Sequence, residues 1–202
     1  EVYNGHRGVR NYGDEQHPST EQMWDVVLTR RLADLKLPVM YGMATDDAHA
    51  HVDFPGGSNP GRGWVMVQAT ELTPEALVAA MERGDFYATT GVTLQCVQFK
   101  DNTLTVEIDP RSGVSYKTQF IGTRRGYDRK ATTRPADDGR VMYEYSQDIG
   151  QVLAEQPGEK AGYKLTGDEL YVRAKIISDA KHPNPFAEGD LETAWTQPVQ
   201  PK

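Results

Sequence analysis

The chain contains a single cysteine, Cys96, among its 202 residues. One thiol excludes an internal disulfide and any zinc site built from cysteines, and its place in the alternating stretch 94–99 predicts a buried structural thiol. No apolar run approaches the length of a membrane span, so we expect none. Basic residues are outnumbered, with 22 Lys and Arg against 29 Asp and Glu. The resulting net charge of -7 disfavours a nucleic-acid partner.

Helical patterns occur only in the first part of the chain, where they alternate with short apolar runs. Ser19 and Gln22 have the spacing of a capping box, which predicts the start of one helix. Thr73 followed by Pro74 predicts the start of a second, and Gly84 its end. Alternation of strands and helices is typical of β/α units.

After Gly91 no amphipathic pattern of helical length appears, and short alternating stretches are separated by turn residues. This pattern favours an antiparallel β-sandwich. We therefore predict two domains, an α/β domain over residues 1–92 and a β-sandwich over residues 93–202. The predicted strands of the second domain cover residues 94–99, 103–108, 118–122, 141–145, 151–154, 162–165 and 170–178.

The first residues, E-V-Y-N at 1–4, have the pattern of a strand that leaves a core, and no methionine precedes them. We therefore expect residue 1 to be an artificial or processed boundary, with an upstream segment missing. The localisation, cytoplasmic or exported, stays open on this interpretation.

The stretch T-D-D-A-H-A-H at 45–51 concentrates two carboxylates and two imidazoles directly after the apolar segment 38–44. Asp47 and His49 are two residues apart, and at a strand end this spacing places both side chains on one face. A carboxylate beside a neutral imidazole suits a divalent transition metal. The alternative for this pair is a structural Asp–His hydrogen bond, and Asp46 is interpreted as a cap or supporting residue.

Two other loops could supply groups to the same place. His6 and Arg7 follow the first predicted strand, and Arg62 precedes the third in a glycine-rich turn. Arginines beside a metal suit an oxyanion such as phosphate. His6, Arg7, His51 and Arg62 are accordingly predicted substrate contacts, with solvated loop or surface positions as the alternative.

The motif T-D-D-A-H at 45–49 resembles the last metal motif of the PHP (polymerase and histidinol phosphatase) superfamily. E-V-Y-N-G at 1–5 resembles the segment that precedes this motif in PHP phosphoesterases. Residues 59–64 and 84–91 are similar to the closing segments of the same domain. The resemblance covers roughly residues 1–92.

The resemblance implies the C-terminal units of a distorted (β/α)7 barrel whose complete site holds two or three Zn, Mn or Fe ions. It implies hydrolysis of phosphomonoesters by a metal-activated water, with Asp47 and His49 as catalytic metal ligands. The family's N-terminal His-x-His motif, bridging Glu and mid-domain His ligands have no counterpart in these residues. We therefore expect a small phosphorylated substrate, a missing N-terminal barrel segment as partner, and an isolated chain that is inactive.

Two rival functions remain open. A non-catalytic module could bind carbohydrate or protein through the β-sandwich, where Tyr143, Tyr145, Tyr163 and Tyr171 alternate with polar residues. Cross-strand packing of these tyrosines is the alternative interpretation. A metal-dependent hydrolase that cleaves a different bond is the other rival, because a fold alone does not determine the substrate.

Overall fold

The structure is a computed structural model that describes residues 1–50, 57–135 and 139–202. Strands hold 39% of the residues and helices 13%. None of the described helices is long and apolar enough to cross a membrane. The helices are α1 (Thr20–Arg30), which continues into a π-helical turn (Arg31–Leu35), and α2 (Pro74–Arg83). The strands are β1 (Tyr3–Asn4), β2 (Ala44–Thr45), β3 (Trp64–Val67), β4 (Phe86–Thr89), β5 (Leu94–Lys100), β6 (Thr103–Ile108), β7 (Tyr116–Arg124), β8 (Ala131–Pro135), β9 (Val141–Tyr145), β10 (Gln151–Pro157), β11 (Lys160–Lys164), β12 (Glu169–Lys181) and β13 (Leu191–Trp195).

Both helices begin where the capping residues predict. The Ser19 side chain accepts a hydrogen bond from the Gln22 N–H, and the Gln22 side chain accepts one from the Ser19 N–H. Thr73 caps α2 by accepting from the Ala76 N–H. Gly84 ends α2 with a φ of 80°, a left-handed conformation that glycine adopts at little cost. These local predictions are confirmed.

A six-stranded antiparallel sheet with the order β10-β7-β12-β13-β4-β3 forms the centre of the molecule. A three-stranded antiparallel sheet, β11-β6-β5, packs on one face of it, and α1 packs on the other. Two smaller pairs complete the described topology, the antiparallel hairpin β8–β9 and the parallel pair β1–β2.

Strand β12 has both faces covered, and its alternation separates two cores. Val172, Ala174 and Ile176 point to the three-stranded sheet and belong to one apolar cluster. Tyr171 points to the opposite face, where α1 packs, and belongs to the second cluster. Because successive strand side chains point to opposite faces, one strand can serve both cores.

The predicted fold class, a piece of a (β/α)7 barrel followed by a β-sandwich, is wrong. A barrel needs consecutive parallel strands, but β3 and β4 pair antiparallel within the six-stranded sheet. The outer edge of β1 is also occupied, because the Asn11 side chain bonds both the N–H and the carbonyl of Asn4. Gln197 does the same for Gly42, the residue two before β2. Two carboxamides thus take backbone positions that neighbouring strands would fill in a barrel.

The sandwich half of the prediction fails for a related reason. Strands β3 and β4 precede residue 92 and β7, β10, β12 and β13 follow it, yet all six share one sheet. Several strands after residue 92 nevertheless occur where alternation predicts them, among them the hairpin β5–β6 and the strand β9, whereas β8 and β13 are not among the predicted strands. Local patterns therefore predict where these strands lie, whereas contacts between distant segments decide which strands pair.

The thiol of Cys96 is exposed, so the prediction of a buried thiol is wrong. Cys96 lies on β5, an edge strand of the three-stranded sheet, and most residues of β5 are exposed. Leu94, rather than Cys96, turns toward the core from this strand.

A buried ion cluster fastens α1 to the central sheet. Arg173 on β12 is 1% exposed and donates to both carboxylate oxygens of Asp25, at 2.9 Å from Nε and 2.7 Å from Nη2. The Tyr171 hydroxyl donates to the same carboxylate at 2.8 Å. Glu21, one helical turn before Asp25, accepts from Arg173 and from Lys175. Alternation on the strand and i,i+4 spacing on the helix bring these groups face to face.

The charges in this cluster depend on one another. Although burial opposes ionisation of Glu21, the positive charges of Arg173 and Lys175 hold the pKa of its carboxyl below its usual range. Gly150 leaves room for the cluster, because a Cβ there would lie 2.5 Å from Asp25 Oδ2. A carboxylate is therefore required at residue 25 as long as Arg173 is buried opposite it.

We expect Asp25→Ala to lower the free energy of unfolding by about 3–5 kcal/mol, because it leaves the Arg173 guanidinium buried without its carboxylate. Urea titration followed by circular dichroism measures this loss. The control is Lys117→Ala, which breaks an exposed pair with Glu155 and should cost less than about 1 kcal/mol. Equal losses of unfolding free energy in the two variants would contradict the conclusion that the contact between Arg173 and Asp25 holds α1 on the central sheet.

Candidate functional site

Three of the polar residues predicted to form a site, His6, Asp47 and His49, follow the carboxyl ends of the parallel strands β1 and β2. Tyr3 pairs with Ala44 and Asn4 with Thr45, so the loops that follow the two strands leave the sheet side by side. His6 follows β1 and His49 follows β2, and their ring centroids are 5.2 Å apart in an edge-to-face arrangement. The structure therefore brings these two predicted residues together.

Asp47 and His49 form a compact unit. Asp47 has a φ of 47°, a left-handed conformation that Asp tolerates better than most residues. The Asp47 carbonyl lies 2.8 Å from His49 Nδ1. Because a carbonyl can only accept, Nδ1 carries the proton and the neutral ring keeps a lone pair on Nε2. The His49 side chain is 69% exposed and that of Asp47 is 42% exposed, so both are accessible to a ligand.

His6 has the opposite tautomer. The Gly8 N–H donates to His6 Nδ1 at 3.0 Å, so Nδ1 is unprotonated and the proton of the neutral ring is on Nε2. His6 consequently offers a hydrogen-bond donor, whereas His49 offers a lone pair. The two rings are chemically different although they lie next to each other.

The carboxylate of Asp46 is fully engaged with the backbone. Its two oxygens accept from the N–H groups of Gly61, Arg62 and Gly63 at 2.9, 2.7 and 2.9 Å. Asp46 therefore holds the turn that precedes β3 against the end of β2. This geometry agrees with a supporting role for Asp46 rather than a ligand role.

Arg62 is buried, with 2% of its surface exposed. Its guanidinium donates to the carbonyl of Gly5 at 2.8 Å, to the carbonyl of Gly57 at 3.3 Å and to Asn184 Oδ1 at 3.4 Å. It thus joins the loops after β1, before β3 and between β12 and β13. The geometry favours a role in holding these loops together and does not bring the guanidinium to the surface beside His49.

The two remaining predicted substrate contacts are Arg7 and His51, of which the structure describes Arg7. Arg7 is exposed in the loop after β1, adjacent to His6 in sequence. His51 lies outside the described residues. Arg7 is therefore near the site, and no contact joins its side chain to a site residue in the described part of the chain.

Sequence reasoning missed Asn4 and undervalued Glu1. Asn4 is 3% exposed, and its Nδ2 donates to Glu1 Oε2 at 3.0 Å and to Asp47 Oδ2 at 3.3 Å. The hydroxyl of Thr45 donates to Glu1 Oε1 at 2.8 Å. A polar residue at the last position of a buried strand was the available signal, because such a side chain needs partners.

The donor set fits part of a metal site. A carboxylate beside an imidazole whose Nδ1–H is bonded to a carbonyl matches the way proteins orient metal ligands. Among the described residues, however, no group of three or more His, Cys, Asp or Glu side chains is arranged to hold an ion. Asp47 and His49 can therefore supply two positions of a coordination shell and no more.

The tyrosines considered as a carbohydrate platform do not share a face. Tyr171 is completely buried against Asp25, and Tyr163 stacks on Phe120. Tyr143 is 59% exposed and, with Tyr145, lines a groove of about 860 Å³ between α1 and the β8–β9 hairpin. Of the four tyrosines, Tyr143 and Tyr145 are the two that line this groove.

No family model matches the chain, and neither a curated protein nor a solved structure matches it. The similarity of residues 1–92 to the PHP superfamily therefore remains a prediction.

The opposite tautomers of His6 and His49 are directly testable. In the metal-free protein at a pH where both rings are neutral, we expect the proton on Nδ1 of His49 and on Nε2 of His6. Long-range 15N–1H correlation spectra of the imidazole rings distinguish the two forms. The same tautomer in both rings would contradict the hydrogen bonds to the Asp47 carbonyl and from the Gly8 N–H.

Proposed function

We propose that this chain contributes Asp47 and His49 as ligands to a divalent-metal centre that hydrolyses a phosphate monoester. The observation that supports the proposal is the lone pair on His49 Nε2, held in place by the bond from Nδ1–H to the Asp47 carbonyl. Histidines that bind metals generally donate their other ring N–H to a carbonyl or carboxylate. His49 is also exposed, so that a metal ion can reach it, and the neighbouring carboxylate of Asp47 supplies negative charge.

The other residues take roles that follow from their hydrogen-bonding state. His6 Nε2–H is a donor beside the proposed ligand, suited to a phosphoryl oxygen of the substrate. Arg7 is exposed in the same loop and can add positive charge there. Arg62 holds the loops that carry these residues. In this arrangement the metal ligands, the substrate contacts and the residue that holds the loops are different side chains.

A divalent ion at this place would supply Lewis-acid polarisation of the phosphoryl group and a more acidic water. Two protein ligands do not fill the inner sphere of such an ion. The proposal therefore includes further ligands from outside the described residues, supplied by a partner segment of protein and by the substrate. Zn²⁺ and Mn²⁺ are the ions that suit a mixed carboxylate and imidazole set.

We expect the chain to bind Zn²⁺ weakly, and we expect Asp47→Ala and His49→Ala each to reduce the affinity at least tenfold. Isothermal titration calorimetry measures both. The control is His17→Ala, because His17 also directs Nδ1 to an acceptor, Asp14 Oδ1 at 2.7 Å, but lies outside the site. Unchanged Zn²⁺ binding in the two site variants would contradict the proposal.

Hydrolysis of p-nitrophenyl phosphate tests the need for further ligands. With Zn²⁺ or Mn²⁺ added, the 202-residue chain should turn over this substrate only marginally above the rate of the ions alone. Fast turnover that Asp47→Ala abolishes would show that this chain completes the site by itself.

A second candidate function is non-catalytic binding of a carbohydrate, and the groove beside Tyr143 and Tyr145 is the observation that favours it. Exposed tyrosines offer an apolar ring with a polar hydroxyl, a combination that suits sugar faces. This alternative expects glycan binding that persists in Asp47→Ala and disappears in Tyr143→Ala.

A further inference from the structure

The buried side chain of Asn4 contacts three groups of the site. Asn4 Oδ1 accepts from the His6 N–H at 2.7 Å, while Nδ2 lies within hydrogen-bond distance of Glu1 and Asp47. Because the His6 N–H can only donate, it must face an oxygen, which fixes the orientation of the amide. The two donor hydrogens are therefore directed to the two carboxylates.

The backbone of Asn4 is equally fixed. The Asn11 side chain accepts from the Asn4 N–H at 3.0 Å and donates to its carbonyl at 2.5 Å. Asn4 also pairs with Thr45 in the parallel ladder between β1 and β2. A residue held at both the backbone and the amide can act as a rigid support for its neighbours.

The bond from Nδ2 to Asp47 also orients that carboxylate relative to His49. Asp47 Oδ2 is taken by Asn4, whereas Oδ1 lies on the side of His49, 3.8 Å from Nδ1. The Asn4 amide donates to the carboxylates of both Glu1 and Asp47, which would repel each other without a donor between them. The two carboxylates can therefore lie at the same edge of the site. An edge with two carboxylates attracts a doubly charged cation.

We propose that Asn4 is the positioning residue of this edge: its carboxamide holds the Asp47 carboxylate, the Glu1 carboxylate and the His6 loop in place beside the metal. This inference rests on the proposed function for its metal and goes beyond it by assigning roles to Asn4 and Glu1. Supporting residues of this kind typically change metal affinity by about 10–100-fold when they are removed.

The test compares Asn4→Ala, Asn4→Ser and Asn11→Ala in the full chain. Serine can still accept from the N–H two residues on, so Asn4→Ser keeps the contact to His6 but cannot reach both carboxylates. Asn11→Ala weakens the same strand end without touching a carboxylate. Zn²⁺ affinity is measured by calorimetry, and hydrogen exchange of the His6 amide is measured without metal.

We expect Asn4→Ala and Asn4→Ser to lower Zn²⁺ affinity about tenfold or more, and Asn11→Ala to lower it less than about threefold. We expect faster exchange of the His6 amide in Asn4→Ala than in Asn4→Ser. Wild-type affinity in Asn4→Ser, or an equal loss in Asn11→Ala, would overturn the inference. If Asn4→Ala does not fold, Asn4→Ser decides the affinity comparison alone.

The two proposals fail in different ways. Absence of Zn²⁺ binding by the wild-type chain contradicts the proposed function, and Asn4 is then judged by hydrogen exchange alone. In that case faster exchange of the His6 amide in Asn4→Ala supports the role of Asn4, and unchanged exchange overturns it.

Discussion

The bidentate contact between Arg173 and Asp25 joins α1 to the central sheet, and the remaining architecture is arranged around it. Arg173 is on β12, which pairs with β7 and β13, so a constraint on this strand reaches most of the six-stranded sheet. A buried ion pair adds little net stability compared with apolar packing, but removing one partner is costly. The cluster therefore favours one docking of α1 over others that would leave a charge unpaired.

The candidate site depends on this docking through β1. The hydroxyl of Thr20, at the start of α1, donates to the carbonyl of Val2 at 2.7 Å, and Trp24 packs in the same core as Val2 and Tyr3. The helix thereby positions β1, and Asn4 at its end positions the carboxylates. Helix α1 and its hydrogen bond to Val2 thus connect β12 with the strand that leads to the site.

The loops around the site are held by polar side chains that bond backbone groups. Asp46 binds three successive N–H groups, Arg62 binds two carbonyls and Asn184, and Asn11 binds both backbone groups of Asn4. Each of these side chains satisfies backbone groups that no strand partner covers. This is why a parallel pair of only two residues per strand can present a defined polar edge. The same bonds explain why Arg62, predicted as a substrate contact, is enclosed.

Part of the fold was predictable because it depends on local chemistry. The capping residues Ser19 and Thr73 located both helices, and alternation located β5, β6 and β9. In the site, spacing and position after a strand predict Asp47 and His49 as a pair, and in the structure the contact between them runs from His49 Nδ1 to the Asp47 carbonyl. Asn4 was missed because its importance comes from partners at both near and distant positions, Glu1 and Asp47, that strand pairing brings together.

The sequence by itself determined where both helices and several of the strands begin, since caps, turns and alternation act over a few residues. It also determined the concentration of carboxylates and imidazoles after β2. Only the tertiary structure decided that β3 and β4 join the strands after residue 92 in one sheet, instead of continuing a barrel. It also decided which ring nitrogen of His6 and of His49 carries the proton. Partners from distant segments settle the strand order, and the folded backbone around residues 6–8 and 47–49 settles the hydrogen bonds of the two rings. Residue types in a linear order do not specify either.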